Sequence, residues 1–292
     1  MSGRKDSARD RLLMNSLLLL IIVIGVTVRW ADLGARGLWW DELYSVVGSS
    51  GSPTLSALWD DWMVDDSHPP GFQVLMWLWF LAAPATEFWS RFPSALAGTG
   101  LLLYAAFGTR TILPLSGRAF LTALFACTYM PVYYAQEARQ YSLLMLFSLV
   151  ASERALRLIR QPDGGHSWTV FVGACVVASY VHYFGLFLAG TWFLVLLLQR
   201  LRQGDALHIH PWLLAGMGFV ALYLPGLITF NHLIQTGNGG WQSRSSGIES
   251  LSEAYTSYFF DDAQYTTAVL VALGLIVALG RWRWVSLERL PL

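Results

Sequence analysis

The sequence has 292 residues, 55% of them hydrophobic and only 13% charged, about half the charge a soluble domain carries. Its 19 basic and 19 acidic side chains cancel, which excludes a nucleic-acid binder held by counterion release and a disordered chain, which needs high net charge. Cys127 and Cys175 both sit in apolar stretches and read as small buried hydrophobes, so a disulfide scaffold is excluded as well.

The first element is the apolar run 12–28, preceded by Arg4, Lys5, Arg9 and Arg11. The following RWADLGARG offers no small-x-small cleavage site, so the run is predicted to be a signal anchor with its N-terminus inside. Residues 29–70 then form a predicted first extracytoplasmic loop. Its residues 30–70 carry Asp32, Asp41, Glu42, Asp60, Asp61, Asp65 and Asp66 against the single Arg36, together with five tryptophans from Trp30 to Trp62. Within it, SPTLSALWDDWM predicts a short amphipathic helix lying in the membrane interface.

Further apolar stretches follow at about 71–86, 92–108, 119–133, 139–152, 168–182, 186–199, 211–229 and 264–280, several shorter than the ~20 residues of a straight span. A second polar loop covers 230–263. Arginines 154, 157 and 160, then 200 and 202, then 281, 283 and 289, place three loops or tails inside with the N-terminus. Residue 70 is thus outside and residue 153 inside, yet four apolar stretches lie between them. Either 119–152 is one helix kinked at Pro131, with Glu137 at membrane depth, or 71–86 does not cross, with Glu137 at the outer surface. Both remain open at this level. The predicted architecture is all-α: a polytopic transmembrane helix bundle of about 8–9 apolar helices forming one domain over 1–292. It comprises a first helix at 12–28, a bundle over 71–229 and a last helix at 264–280, with short amphipathic helices in the first loop.

Four clusters can carry chemistry. In LWWDELY, the adjacent acids Asp41 and Glu42 lie among large rings, where an apolar wall raises a carboxylate's proton affinity and suits it to general-base work; plain solvated loop acids are the alternative. In DDSHPPGF, His68 precedes a helix start and can bind phosphate or metal or move a proton; a simple helix-start turn is the alternative. In YYAQEARQY, Glu137 and Arg139 lie between two apolar stretches, where ionisable groups are costly and mark function. Two residues apart, they do not face each other on a helix, so each needs a partner elsewhere, and Arg139 suits a phosphate. In YVHYFG, His182 reads as a packed polar residue or a ligand. Motifs of soluble enzymes, such as the P-loop, GxGxxG, GxSxG or CxxC, do not occur.

WWDELYS after the first helix, the SHPPG turn, RFPSALAG and YYAQEARQYSLL, in that order, resemble the signatures of the GT-C membrane glycosyltransferases. The pattern is most similar to the Rgt-type bacterial members, relatives of aminoarabinose transferases and protein O-mannosyltransferases, and covers residues 30 to 230. The resemblance implies a sugar on a polyprenyl phosphate as donor and a glycan, lipid or protein as acceptor. It also implies an inverting reaction at an extracytoplasmic site of a multi-pass protein in the bacterial plasma membrane. It assigns the base to Asp41 with Glu42 beside it, and the donor phosphate or a divalent metal to His68, Glu137 and Arg139, with Tyr141 and His182 also lining the substrate site. It leaves metal dependence open and implies no nucleic-acid partner. Members usually run longer, so a compact or truncated, inactive relative is one alternative; a transporter or flippase of lipid-linked sugars is the other.

Overall fold

The computed structural model describes residues 8–64, 66–161, 165–202 and 210–236. Asp65, most of the predicted loop 230–263 and the predicted helix 264–280 lie outside these.

All regular structure in the described residues is helical. The 12–28 run becomes α1, Ala8–Trp30, which rises about 34 Å at 1.5 Å per residue, enough for a ~30 Å hydrocarbon core. One stripe of it, Met14, Leu18, Ile21, Ile22, Gly25 and Arg29, is buried, while Leu12, Leu19, Leu20 and Val23 face outward. Gly25 allows the close approach: a Cβ there would meet Leu102 at 2.8 Å and Ala126 at 2.9 Å. Asp32 ends the helix in the left-handed region, φ 53°, a conformation short polar side chains tolerate.

The first loop folds into α2 (Trp40–Gly51), α3 (Leu55–Leu58) and a wider π turn over Trp59–Met63. The expected amphipathic segment thus starts at the Thr54 cap, whose side chain accepts from the Ala57 N–H. Trp62 lies so close to Gly48 that a Cβ there would meet its ring at 2.7 Å.

α4, Gly71–Phe80, rises only about 15 Å and cannot cross. Its first residue abuts the Tyr180 carbonyl at the end of α9, and its last turn docks on the start of α5. Pro93 explains that docking. Lacking an N–H, it leaves the Trp89 carbonyl of α5 (Glu87–Phe107) without its helical donor, and Trp79 Nε1 fills the gap at 2.8 Å while its ring stacks on Phe92. Both ends of α4 therefore sit at one end of the bundle.

The stretch 119–152 is not one kinked helix. α6 (Leu115–Cys127) stops at Thr128, whose backbone is extended, and α7 (Tyr129–Tyr133) runs into a 3-10 turn at Tyr134–Gln136. Pro131 sits in the first turn of α7, where its missing N–H costs nothing. The carbonyls released at the break are met by Arg29, which is fully buried: Nη2 donates to Phe125 O at 2.5 Å and Pro131 O at 3.3 Å, and Nη1 to Gly25 O at 2.8 Å. Glu137 consequently lies at the bundle end, in extended backbone before α8 (Tyr141–Arg160).

α9 (Gly165–Val181), α10 (Tyr183–Arg202) and α11 (His210–Thr236) complete the bundle, packing with α8 around Ala155, Leu158, Phe171, Cys175 and Phe219. Four described helices, within α1, α5, α10 and α11, are long and apolar enough to cross a membrane; α4, α6 and α9 are shorter apolar helices. The expected eight to nine are therefore seen in part, the last lying outside the described residues. At the end opposite α4, buried Glu153 accepts from Tyr104 and Thr111 and pairs with Arg154 and Arg157. Arg118 and Arg160 cap carbonyls at that same end.

Candidate active site

The end opposite the arginines gathers most of the sequence-predicted residues. α2 places Asp41 and Glu42 in its first turn, where acids complement the helix dipole. The two side chains then part company. Glu42 is wholly buried and grips Arg91 of α5: Nε to Oε1 and Nη2 to Oε2, each 2.8 Å. Its remaining lone pairs take the Ala138 N–H at 2.7 Å and the Trp39 N–H at 3.2 Å. Arg91 extends the clamp to the carbonyls of Leu33, Arg36 and Gly37. This pair ties the first loop, α5 and the segment before α8 together.

Asp41 is half-buried, and its carboxylate has no hydrogen bond or ion pair among the described residues. Its backbone is fixed instead: the Asp41 carbonyl accepts from Arg139 Nη1 at 3.2 Å, and Ser45 Oγ accepts from the same nitrogen at 3.1 Å. Arg139 Nη2 lies 3.5 Å from His68 Nε2. His68 Nδ1 lies 3.0 Å from Asp66, whose other oxygen accepts from Gln73 at 3.3 Å. The ring thus bridges Asp66 at Nδ1 and Arg139 at Nε2.

His182, in the turn between α9 and α10, stands edge-on to His68 at 5.7 Å and against Tyr141 at 5.5 Å. Its Nδ1 accepts the Phe184 N–H at 3.1 Å, so Nε2 carries the proton. Burial, aided by His68 and Arg139, lowers its pKa to about 4, so it is a neutral donor near pH 7. Asp41, His68, Arg139, Tyr141 and His182 thus come from four separate stretches to one place.

Glu137 joins a different neighbourhood. It accepts from the Trp39 indole, and burial together with the Glu42 charge raises its pKa to about 7. The partners that the i,i+2 spacing called for are therefore Trp39 for Glu137, and Asp41, Ser45 and His68 for Arg139. Arg91, Asp66 and Ser45 were not marked as site residues by sequence; the available signals were the RFPSALAG motif that Arg91 opens and the DDSHPPGF cluster that holds Asp66. Three buried atoms among these residues lack partners: Arg139 Nε, Gln140 Nε2 and Gln73 Oε1. Leaving each unpaired costs about 1–3 kcal/mol, as expected where a polar ligand is to be met. Among the described residues no group of three or more His, Cys, Asp or Glu stands close enough to hold a metal ion.

Membrane-length helices with a buried ionisable cluster at one end define the class: a helical integral membrane protein with a polar site at the bundle end. Among solved structures, this fold is similar to a chain of the S. cerevisiae protein O-mannosyltransferase Pmt1-Pmt2 complex bound to the sugar donor. The TM-score is 0.51 at 17% identity, over 89% of this chain. The chain spans 38% of that chain's length. The likeness is one of fold alone. No family model matches the sequence, and no curated protein is similar enough to match.

Proposed function

We propose that the chain is a membrane glycosyltransferase that moves a sugar from a polyprenyl phosphate to an acceptor hydroxyl with inversion. The observation that carries this reading is an unbonded carboxylate on Asp41, whose backbone carbonyl accepts from the buried guanidinium of Arg139, which keeps an unpartnered Nε. The acceptor O–H gives its proton to the Asp41 carboxylate as its oxygen bonds to the anomeric carbon. The bond from that carbon to the lipid phosphate breaks, and the phosphate leaves with the electron pair. Arg139, with the His182 Nε2–H, meets the developing charge. Glu42, saturated by Arg91 and two N–H groups, holds Asp41 in place. Glu137 and Tyr141 border the donor site. The fold likeness to a donor-bound mannosyltransferase supports the class of reaction.

The arginine-rich end faces the cytoplasm by the positive-inside rule, so the site opens on the extracytoplasmic face of a bacterial plasma membrane. The acceptor is a glycan, lipid or protein of the cell envelope.

Transfer from a radiolabelled polyprenyl-phosphate sugar in proteoliposomes tests the proposal. Cleavage of the sugar–phosphate bond that Arg139→Met abolishes supports it. Movement of the intact labelled lipid across the bilayer without cleavage would instead establish a flippase.

A further inference from the structure

α8 starts without a cap. Its N-cap residue, Gln140, has helical backbone, and its side chain makes no capping hydrogen bond. The preceding carbonyl, on Arg139, accepts from Ser94 Oγ at 2.9 Å. The Tyr141, Ser142 and Leu143 N–H groups find no acceptor among the described residues. Every helix leaves such groups at its start, where water or a cap usually meets them. This start is buried: Arg139 is 5% exposed, Gln140 2% and Ser142 0%. Its side chains repeat the pattern. Arg139 Nε, Gln140 Nε2 and Ser142 Oγ are buried without a hydrogen-bond partner among the described residues, and all three have protons to donate. The positive end of the 20-residue α8 dipole falls at the same spot.

A guanidinium, an amide, a hydroxyl and a helix N-terminus, all with donors unmet, match one ligand chemistry: an anion with several acceptor oxygens. The spot belongs to the candidate site, since Arg139 Nη2 lies 3.5 Å from His68 Nε2 and the Tyr141 ring 5.5 Å from His182. We infer that the N-terminus of α8 is a phosphate seat in which Gln140 and Ser142 are ligands beside Arg139. The inference rests on the proposed transferase reaction and deepens it. The donor in that reaction is a phosphate diester with one negative charge and two terminal oxygens. The lipid phosphate that leaves is a monoester, with a third terminal oxygen and a second charge developing on it. A seat this rich in donors matches the leaving group better than the arriving diester. Its hydrogen bonds therefore strengthen as the sugar–phosphate bond breaks, which is where they lower the barrier.

The test titrates the full chain, in phosphate-free maltoside micelles, with farnesyl monophosphate, inorganic phosphate and farnesol, read by calorimetry. Farnesyl monophosphate binds, and farnesol binds at least about tenfold more weakly. Ser142→Ala and Gln140→Met each weaken the binding of farnesyl monophosphate about tenfold. Their ligand-free thermal midpoints stay at or above the wild-type value, because each substitution removes a buried donor that has no partner. Side chains that served only the fold would do the reverse, lowering the midpoint and sparing the affinity. Inorganic phosphate bound and weakened by the same substitutions supports a seat that reads the phosphate alone; farnesyl monophosphate bound without it supports one that takes the phosphate on its lipid. No binding of farnesyl monophosphate, farnesol binding as tightly, affinity unchanged in both variants, or midpoints that fall in both, overturns the seat. Sugar transfer from a labelled polyprenyl-phosphate donor is measured on the same samples. Phosphate binding without transfer in the wild type leaves the seat standing and removes the transferase reading. Transfer at the wild-type rate by both variants, with affinity unchanged, removes the seat and leaves the transferase reading.

Discussion

Glu42 and Arg91 meet through two parallel 2.8 Å hydrogen bonds, with Glu42 wholly buried and Arg91 only 2% exposed. Forty-nine residues apart, they are the joint between the first loop and the bundle. Asp41, the residue before Glu42, has no such attachment for its own carboxylate among the described residues. The two acids of one motif are therefore divided into a buried holder and a carboxylate left unbonded among the described residues.

Removing one partner of this pair leaves an uncompensated buried charge, a loss of about 3–5 kcal/mol. Arg91→Met and Glu42→Ala should each lower the thermal midpoint of the detergent-solubilised protein strongly. Arg91→Lys keeps the charge but not the fork and should fall between. A midpoint unchanged in Arg91→Met would show that the pair does not hold the loop.

Glu137 gives a pH dependence of defined sign. Its folded pKa of about 7 lies above the ordinary carboxylate value, because of burial and the Glu42 charge, with Arg91, Arg36 and the Trp39 N–H opposing. The folded state thus holds this proton more tightly than the unfolded chain. The resulting stabilisation is full below the unfolded pKa and is lost as pH rises through about 7. Unfolding midpoints should fall between pH 5 and pH 8 in the wild type, and less steeply in Glu137→Gln. Parallel curves for the two proteins would refute the assignment.

His182 should remain neutral through the weakly acidic range. Its pKa of about 4, set chiefly by burial, and its Nδ1 bond to the Phe184 N–H predict the Nε2–H tautomer at pH 6. Nitrogen-15 shifts of labelled histidine, assigned with His182→Gln, read this directly. An imidazolium signal at pH 6 would contradict it.

Two glycines set the spacing around the histidines. A Cβ on Gly71 would lie 2.5 Å from the Tyr180 carbonyl oxygen, and one on Gly185 2.2 Å from the Ala178 carbonyl carbon. Both obstacles are backbone, so Gly71→Ala and Gly185→Ala should each cost at least the ~1–3 kcal/mol of overpacking and displace His68 or His182. Gly190→Ala, where a Cβ meets nothing within 4 Å, should leave the midpoint unchanged. Equal behaviour of all three variants would refute this reading.

Much of this was legible in the sequence. The apolar run of α1 announces itself by length, and the acid-rich first loop and its helix-start proline pair by composition. What periodicity could not give was the ending of elements by distant partners. α4 reads as a span because an apolar decapeptide looks the same whether it crosses or turns back; its stop depends on Trp79 reaching the carbonyl that Pro93 frees. Pro131 signals a kink, but the break falls at Thr128, where Arg29 from α1 takes up the loose carbonyls. Asp41, His68, Arg139 and His182 are each visible as unusual residues, whereas the division of Asp41 from Glu42 needs Arg91 in place. Glu137 and Arg139, neighbours in the motif, serve different surroundings because the backbone between them is not helical: it is extended at Glu137 and then turns tightly, the Arg139 N–H donating to the Glu137 carbonyl at 2.8 Å.

The most direct test of the account is the rate of sugar transfer from a labelled polyprenyl-phosphate donor by Asp41→Asn, measured beside its thermal midpoint. The substitution removes only the proton acceptor, so transfer should fall about 10²–10⁴-fold while the midpoint and donor affinity stay at wild-type values. Full transfer activity in Asp41→Asn would contradict the assignment of the base and, with it, the proposed mechanism.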